Sequence, residues 1–437
     1  MVTSGRPHGA RGAPSLRREL GVVGATLMGL GSMVGTGVFV SIGLAAGAAG
    51  PAVVMAIAVA ALVATCNALS SAQLAAAHAV SGGTYEYGYE YLTPALGFTA
   101  GWMFLCAKTA SAATAALGFA GYLLDALGAE GATVSGLAVG AVMVLTAVVL
   151  AGIRRSHWTN LIIVSVTLLA LAALVLVGAP AIDTAHLRPF FAPTGPGPHP
   201  FRGLLEACAL MFVAFTGYGR IATLGEEVRE PRRTIPRAIV ATLIVVTVLY
   251  AAVGVVAVGV LGPGRLAQAT TAAVAPLEVV ARELSPGWLP RLVAAGAVTA
   301  MLGVLLNLLL GLSRVLLAMG RRGDAPRATA RLNAAGTTPW VAVLVVATAV
   351  AALAALGSIE TAWSFSAFTV LVYYAITNLA ALRLPEERRI FQRAWAWGGL
   401  ASCVFLAFWV EPPIWLTGLG LIAAGLAGHA VARRRRG

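Results

Sequence analysis

Charged residues are scarce in this sequence of 437 residues. Asp, Glu, Lys and Arg make up 11 % of it, hydrophobic residues make up 59 %, and the mean hydropathy is +0.86. Soluble domains carry about 25 % charged residues, so the composition excludes a soluble globular protein. Apolar runs of about 20 residues, long enough to cross roughly 30 Å of hydrocarbon, recur along the chain. The sequence therefore predicts an all-α integral membrane protein.

Cysteine is also rare, and the usual marks of catalysis are missing. The four cysteines stand singly in different apolar runs, without a CxxC pair or a nearby histidine. No disulfide framework, metal site or cofactor is therefore expected. The sequence lacks the Asp, Glu and His clusters of an integral acyl- or prenyltransferase, a Walker motif, and tails long enough for the output domain of a sensor. These absences argue against a membrane enzyme, an ATP-driven pump and a sensor.

Twelve apolar segments are predicted to cross the membrane. The first is too long for a signal-peptide core, so it is expected to be retained. Residues 1–19 are predicted to form a cytoplasmic tail, and residues 433–437 a basic tail at the lipid headgroups. The predicted crossings lie near residues 20–47, 51–76, 96–124, 132–152, 158–178, 203–225, 237–262, 290–319, 339–357, 359–383, 394–411 and 413–432.

The net charge of +13 is distributed as a membrane protein requires. With both termini in the cytoplasm, 22 of the 30 basic residues lie inside, five lie outside and three fall within crossings. This bias matches the positive-inside rule of plasma-membrane proteins, here the bacterial inner membrane, so a lipid bilayer rather than a nucleic acid is the expected partner. The sequence carries no signal for an oligomeric state.

The first and sixth crossings each contain a glycine-x-glycine pair near their middle. The first has "GSMVGTG" at residues 31–37, and the sixth has "FVAFTGYGRIA" at residues 212–222. Irregular backbone at membrane depth is tolerated only where it is buried in protein or lines a cavity. Interrupted segments five crossings apart are typical of an inverted five-helix repeat with the binding site between the breaks. Gly31 and Gly35 also form a small-xxx-small pattern, so close helix packing is the alternative interpretation.

Four segments resemble the amino acid–polyamine–organocation superfamily of secondary transporters. They are "GLGSMVGTGVFV" (29–40), "SGGTYEYGYEYL" (81–92), "FTGYGRIATLGEEVREPRRTIPRAI" (215–239) and "NLLLGLSRVLLAMGRRG" (307–323). The resemblance implies alternating-access transport of amino acids or related amines, with discontinuous first and sixth helices. It also implies a first repeat at 20–178, an inverted second repeat at 203–383 and two accessory helices at 394–432.

The predicted interruptions would hold the two ends of an α-amino acid. Backbone N–H groups near residues 36–38 suit a carboxylate, and freed carbonyl groups near 30–33 and 213–215 suit an ammonium group. Phe215 and Tyr218 are interpreted as an aromatic wall. Arg220 either recognises a polar substrate group or pairs with an acidic residue, Glu206, Glu226 or Glu227. The candidate substrate-binding residues are Ser32, Met33, Val34, Gly35, Thr36, Gly37, Val213, Phe215, Gly217, Tyr218 and Arg220.

Coupling to an ion is predicted from the one lysine of the chain. Lys108 lies near the middle of the third crossing, whereas the other 29 basic residues are arginines, and lysine is the more readily deprotonated of the two. Proton coupling is therefore expected. Two alternatives stay open: the resemblance also allows a sodium site that includes Thr167 and Asn307, and Lys108 could have a purely structural role, bonding carbonyl groups at helix ends. A neutral amino acid is the favoured substrate. Exchange stays open, whereas a polyamine carrier needs acidic groups at depth, for which only Glu206 is a candidate.

Overall fold

The computed structural model describes residues 21–78, 82–129, 133–152, 157–191, 200–222, 228–272, 274–284 and 287–434, and its regular structure is helical. The predicted tail at 1–19 lies outside these ranges, as do residues 435–437. The α-helices are α1 (Val22–Met33), α2 (Thr36–Phe39), α3 (Ser41–Ala49), α4 (Val53–Ala77), α5 (Thr84–Tyr91), α6 (Pro94–Leu127), α7 (Val134–Leu150), α8 (His157–Gly178), α9 (Pro200–Phe215), α10 (Gly219–Ala222), α11 (Pro231–Leu261), α12 (Pro263–Ala272), α13 (Pro276–Glu283), α14 (Trp288–Arg322), α15 (Trp340–Leu356), α16 (Ile359–Leu382), α17 (Arg393–Ala407) and α18 (Pro412–Arg434).

The chain is a multi-pass membrane protein. Within the described ranges, eight helical segments are long and apolar enough to span a bilayer, and three shorter apolar helices, α1, α7 and α15, accompany them. One of the eight, Thr36–Ala77, contains the turn at residues 50–52, where Gly50 has a φ of +61°. Twelve crossings in two inverted repeats remain a prediction.

The predicted crossing at 394–411 is matched by a helix shorter than expected. α17 has 15 residues, about 22 Å at 1.5 Å per residue, which is less than the roughly 30 Å of the hydrocarbon core. Pro412 and Pro413 follow the intervening turn and begin α18. Because proline lacks an N–H group and clashes with the preceding turn, the two prolines prevent α17 and α18 from joining into one helix.

Two polar clusters mark the two faces of the helical bundle. One cluster joins α5, the end of α14 and the end of α18. The other joins the end of α6 to α13. Near the start of α6, the ring of Phe98 stacks on His429 of the first cluster, and at its end Asp125 belongs to the second. The helix α6 therefore runs from one face to the other. We call the first the inner face and the second the outer face, following the predicted charge bias.

The inner cluster is buried and is centred on one carboxylate. Asp324 accepts hydrogen bonds from the hydroxyl groups of Tyr85 (2.7 Å) and Tyr89 (2.6 Å), and it lies 3.2 Å from Nδ1 of His429. The side chains of Asp324 and His429 are each 6 % exposed, and the His429 ring stacks on Phe98. Burial, followed by the Asp324 carboxylate, raises the pKa of Tyr85, so its phenol stays protonated and donates. The cluster holds four helices together.

Removal of the Asp324 carboxylate is expected to destabilise this face. Asp324→Ala leaves two tyrosine hydroxyl groups and a histidine buried without their shared acceptor, which costs about 3–5 kcal/mol of unfolding free energy. Thermal unfolding of the purified protein in detergent measures the loss. Glu283→Ala is the matched control, because Glu283 and its partner Arg265 are both largely exposed and such a surface ion pair contributes about 0–1 kcal/mol. Equal melting temperatures for the two variants would show that the cluster does not stabilise the bundle.

Candidate functional site

The first apolar segment is interrupted between α1 and α2. α1 ends at Met33, residues 34 and 35 form a turn, and α2 begins at Thr36. The interruption is narrower than the predicted stretch 31–37, because the N–H group of Val34 still donates to the carbonyl of Leu30 at 2.8 Å. The helical hydrogen-bond pattern thus continues to the edge of Gly35, so that two residues separate α1 from α2.

The second interruption separates α9 from α10. α9 ends at Phe215, residues 216–218 form one turn of 3-10 helix, and α10 begins at Gly219. A 3-10 turn in the middle of a helix tightens the backbone and often marks a hinge or a functional position. Residues 223–227 lie outside the described ranges, and with them two of the predicted acidic partners of Arg220, Glu226 and Glu227.

The two interruptions touch each other. A Cβ atom on Gly217 would lie 2.5 Å from the carbonyl oxygen of Ser32 and 2.6 Å from Cγ of Met33. Real Cβ atoms do not approach backbone oxygen so closely, so only glycine allows this contact. Gly37 is equally close to the opposite segment, since its Cβ would lie 2.7 Å from Cβ of Ala214. The glycines of the two segments therefore bring two irregular backbone stretches together.

Aromatic side chains from other helices hydrogen-bond the backbone freed at the interruptions. The Tyr250 hydroxyl of α11 donates to the carbonyl of Met33 at 2.7 Å. On α16, the Tyr374 hydroxyl donates to the carbonyl of Thr216 at 3.3 Å. The Trp363 Nε1, also on α16, donates to the carbonyl of Leu210 at 3.0 Å, inside the continuous part of α9. Buried backbone carbonyls need such partners in the absence of water. Sequence reasoning missed these residues.

Lys108 reaches the second interruption directly. Lys108 is the fifteenth of the 34 residues of α6, and its Nζ donates to Oγ1 of Thr216 at 2.9 Å. The Thr216 hydroxyl in turn donates to the carbonyl of Val213 at 2.8 Å. The lysine is thus joined through one hydroxyl group to the 3-10 turn, and its side chain keeps part of its surface accessible. Thr216, the intermediate residue, was absent from the predicted set.

The predicted aromatic wall is packed into the interruption. Phe215 and Tyr218 have no exposed surface; the Phe215 ring lies 5.2 Å from that of Tyr250, and the Tyr218 ring 5.4 Å from that of Tyr374. Arg220 lies on α10, half-buried. The Thr36 hydroxyl oxygen, at the start of α2, is buried and has no hydrogen-bond partner among the described residues. That orphaned oxygen is a polar group available to a ligand.

Thr167 and Asn307, the predicted sodium ligands, are not brought together. The Thr167 hydroxyl donates to the carbonyl of Ile163 at 2.7 Å and lies 3.5 Å from the carbonyl of Gly296 on α14. Asn307 follows Gly296 by eleven residues on the same continuous helix, about 16 Å further along its axis. A shared ion site would need both side chains within one coordination sphere, which this spacing does not provide.

Residues around the interruptions differ in their exposure. Residues 38–40 and 42 have no exposed surface. Residues on the inner side of the same interruptions keep partial exposure, among them Met28, Ser32, Gly217, Gly219 and Val304.

Two interrupted helices that meet inside an apolar helical bundle are typical of membrane transporters. The chain belongs to the amino acid permease family, whose model matches residues 20–420. The resemblance to the amino acid–polyamine–organocation superfamily is thereby confirmed, and the chain is a transporter and not an enzyme.

Relatives carry transporter names from several organisms. An uncharacterised transporter of Mycobacterium tuberculosis strain H37Rv is 44 % identical over 98 % of this chain and 94 % of its own length. The branched-chain amino acid permease of Bacillus subtilis is 29 % identical over 89 % of this chain and 85 % of its own length. Human cationic amino acid transporter 4 is 30 % identical over 85 % of this chain, and the match covers 61 % of that protein.

Proposed function

We propose that the protein is a proton-driven secondary transporter of neutral amino acids in the bacterial inner membrane, working by alternating access with both termini in the cytoplasm. The observation that carries the proposal is the contact between the two interruptions, where Gly217 meets the backbone of Ser32. Irregular backbone from two segments in contact at one depth supplies both donors and acceptors to a small zwitterion. A single ligand there would bridge the two segments.

The two ends of an α-amino acid have distinct partners in this proposal. The start of α2 offers its first N–H groups and the orphaned Thr36 hydroxyl to the substrate carboxylate. The carbonyls near Ser32 and Val213 face the ammonium group, with Thr216 and Tyr250 as the side chains that already bond this backbone. The irregular backbone of the site is formed by Met33, Val34, Gly35, Gly37 and Gly217. The site is bordered by Phe215, Tyr218 and Arg220.

A neutral side chain suits the charges around the interruptions. Along the chain, the described acidic residues nearest to the second interruption are Glu206, nine residues before Phe215, and Glu230, twelve after Tyr218; the first interval corresponds to about 14 Å of helix. Lys108 stands beside the second interruption instead, and it would repel a cationic side chain. The name of the Bacillus subtilis relative, a branched-chain amino acid permease, supports an apolar side chain.

Uptake into proteoliposomes tests the function. A thermal-shift screen of the purified protein against the common amino acids selects ligands, and labelled uptake is then followed with an imposed pH gradient and no sodium. We expect neutral, apolar amino acids to raise the melting temperature and to accumulate when the outside is acidic. Binding restricted to arginine and lysine, or to glutamate and aspartate, would contradict the substrate class, and a strict sodium requirement would contradict proton coupling.

A further inference from the structure

A second polar cluster, with one buried carboxyl group, lies at the outer face, away from the interruptions. Nη2 of Arg282 lies 2.9 Å from a carboxylate oxygen of Asp125, at the end of α6, and 3.1 Å from Oε1 of Glu278, on α13. One guanidinium nitrogen therefore touches two carboxyl groups. The side chain of Glu278 is 3 % exposed, that of Asp125 is 18 % exposed and that of Arg282 is 47 % exposed.

The charges of this cluster do not balance unless a proton is present. Two carboxylates against one guanidinium leave a negative charge beside the buried Glu278, whose Oε2 has no hydrogen-bond donor among the described residues. A proton on either carboxyl group neutralises the cluster and turns one acceptor into a donor. Burial, followed by the charge of Asp125, raises the pKa of Glu278 to about 7, while Arg282 acts in the opposite direction.

Charged groups on the neighbouring helices do not neutralise the excess negative charge beside Glu278. Glu283, also on α13, is exposed and pairs with Arg265 of α12 at 2.9 Å. The outer half of α14 carries Arg291, which is exposed, and the outer half of α11 has no charged residue. The charged groups that act on Glu278 are thus Asp125 and Arg282.

A tyrosine connects the cluster to the first interrupted segment. The Tyr122 hydroxyl, one turn before Asp125 on α6, donates to the carbonyl of Phe39 at 2.8 Å and accepts from the N–H group of Leu277 at 3.1 Å. Phe39 ends α2, and Leu277 precedes Glu278 on α13. The outer part of the first segment, the end of α6 and α13 are therefore joined by one buried hydroxyl group.

We propose that Asp125 and Glu278 form a proton-binding site on the outer face, and that the shared proton keeps α13 docked on α6 and the outer part of the first segment closed. When the proton leaves, the two carboxylates repel each other, α13 loosens, and the bonds from Tyr122 to Phe39 and Leu277 are released. The ligand of the site is the proton, exchanged with the outer solution. The inference rests on the proposed proton-driven transport, to which it gives an outer gate.

The pH dependence of thermal stability tests the site without any transport assay. An acid whose pKa is raised in the folded state, here from an ordinary value of 4.5 to about 7, stabilises the fold when it is protonated. Its contribution is full at low pH and is lost as the pH rises through about 7. The wild-type melting temperature is expected to fall by several degrees between pH 5.5 and 8. Glu278→Gln should flatten this slope and melt above wild type at pH 8.

The matched control is Glu283→Gln, on the same helix, which should keep the wild-type slope because its carboxylate is exposed and paired with Arg265.

The gate is tested by uptake at fixed inner pH. Wild-type uptake should rise as the outer pH falls from 8 to 6, whereas in Glu278→Gln the ratio of the two rates should approach one. Tyr122→Phe should keep the slope in melting temperature but lose the pH dependence of uptake.

An unchanged melting slope in both Glu278→Gln and Asp125→Asn would overturn the proton site. A flattened melting slope with unaltered pH dependence of uptake would overturn its role as a gate. If wild-type uptake does not depend on the pH gradient but the melting temperature behaves as expected, proton-driven transport is contradicted and the proton site is not. The failure of one proposal can therefore be told from the failure of the other.

Discussion

Gly37→Leu is expected to reduce uptake to background while the protein still inserts and folds. A Cβ atom at position 37 would lie 2.7 Å from Cβ and 2.9 Å from Cα of Ala214, and 2.8 Å from the hydroxyl of Tyr250. The α9 backbone at Ala214 cannot swing aside as a long side chain can, so even Gly37→Ala must push the two segments apart. Overpacking of this kind costs about 1–3 kcal/mol, equivalent to roughly 5- to 150-fold in an equilibrium.

Gly35 offers an internal comparison. Its Cβ would meet the tip of the Val304 side chain at 2.7 Å and the nearest backbone atom only at 3.7 Å. Gly35→Ala should therefore keep measurable uptake, whereas Gly37→Ala should lose most of it. Gly140→Leu, on α7 with nothing within 4 Å of its Cβ, is the control for glycine replacement in an apolar helix. Full uptake in Gly37→Leu would show that the contact between the interruptions is dispensable.

The positions of the interruptions could be predicted from the sequence, but not their extent. Glycines at two-residue spacing in two apolar runs are a local signal, and both runs break beside these glycines. How far each break extends depends on partners from other helices. Tyr250 bonds Met33 and Tyr374 bonds Thr216, so most of the backbone stays helical on either side. Such partners are distant in sequence and carry no motif.

The polar clusters could not be predicted either, because their residues are also distant from one another in the sequence. Tyr85 lies on α5, His429 lies on α18 and Asp324 lies in the bend after α14, and hydropathy does not indicate that these three residues meet. Asp125 and Glu278 likewise lie at a helix end and on a short connecting helix. Sequence patterns report the period and length of helices, whereas the pairing of their ends depends on how the helices pack. Lys108, which the composition singled out, contacts Thr216 in the second interruption, and its part in coupling stays a prediction.

The amine of Lys108, a group that can gain or lose a proton, is bonded to the 3-10 turn. Its Nζ donates to Thr216, whose hydroxyl donates to the carbonyl of Val213, so the charge on the lysine acts on the backbone of the second interruption through a single side chain. A charged ammonium group holds this hydroxyl firmly, whereas a neutral amine donates more weakly. Arginine would stay charged throughout, because its guanidinium is not deprotonated in proteins. Proton exchange on Lys108 would therefore change how firmly the turn is held.

Lys108→Ala and Lys108→Arg are both expected to abolish accumulation driven by a pH gradient in sodium-free proteoliposomes. The alanine variant loses the proton-binding group and the arginine variant cannot release its proton. Counterflow of labelled substrate into preloaded vesicles needs no net proton movement, so it should persist in Lys108→Arg, and this separates coupling from a purely structural role. Arg314→Ala, an exposed charge on α14, is the matched control and should accumulate like the wild type. If proton-driven accumulation survives both lysine substitutions, Lys108 has no part in the coupling mechanism. If it survives in Lys108→Arg alone, a fixed positive charge beside Thr216 is sufficient.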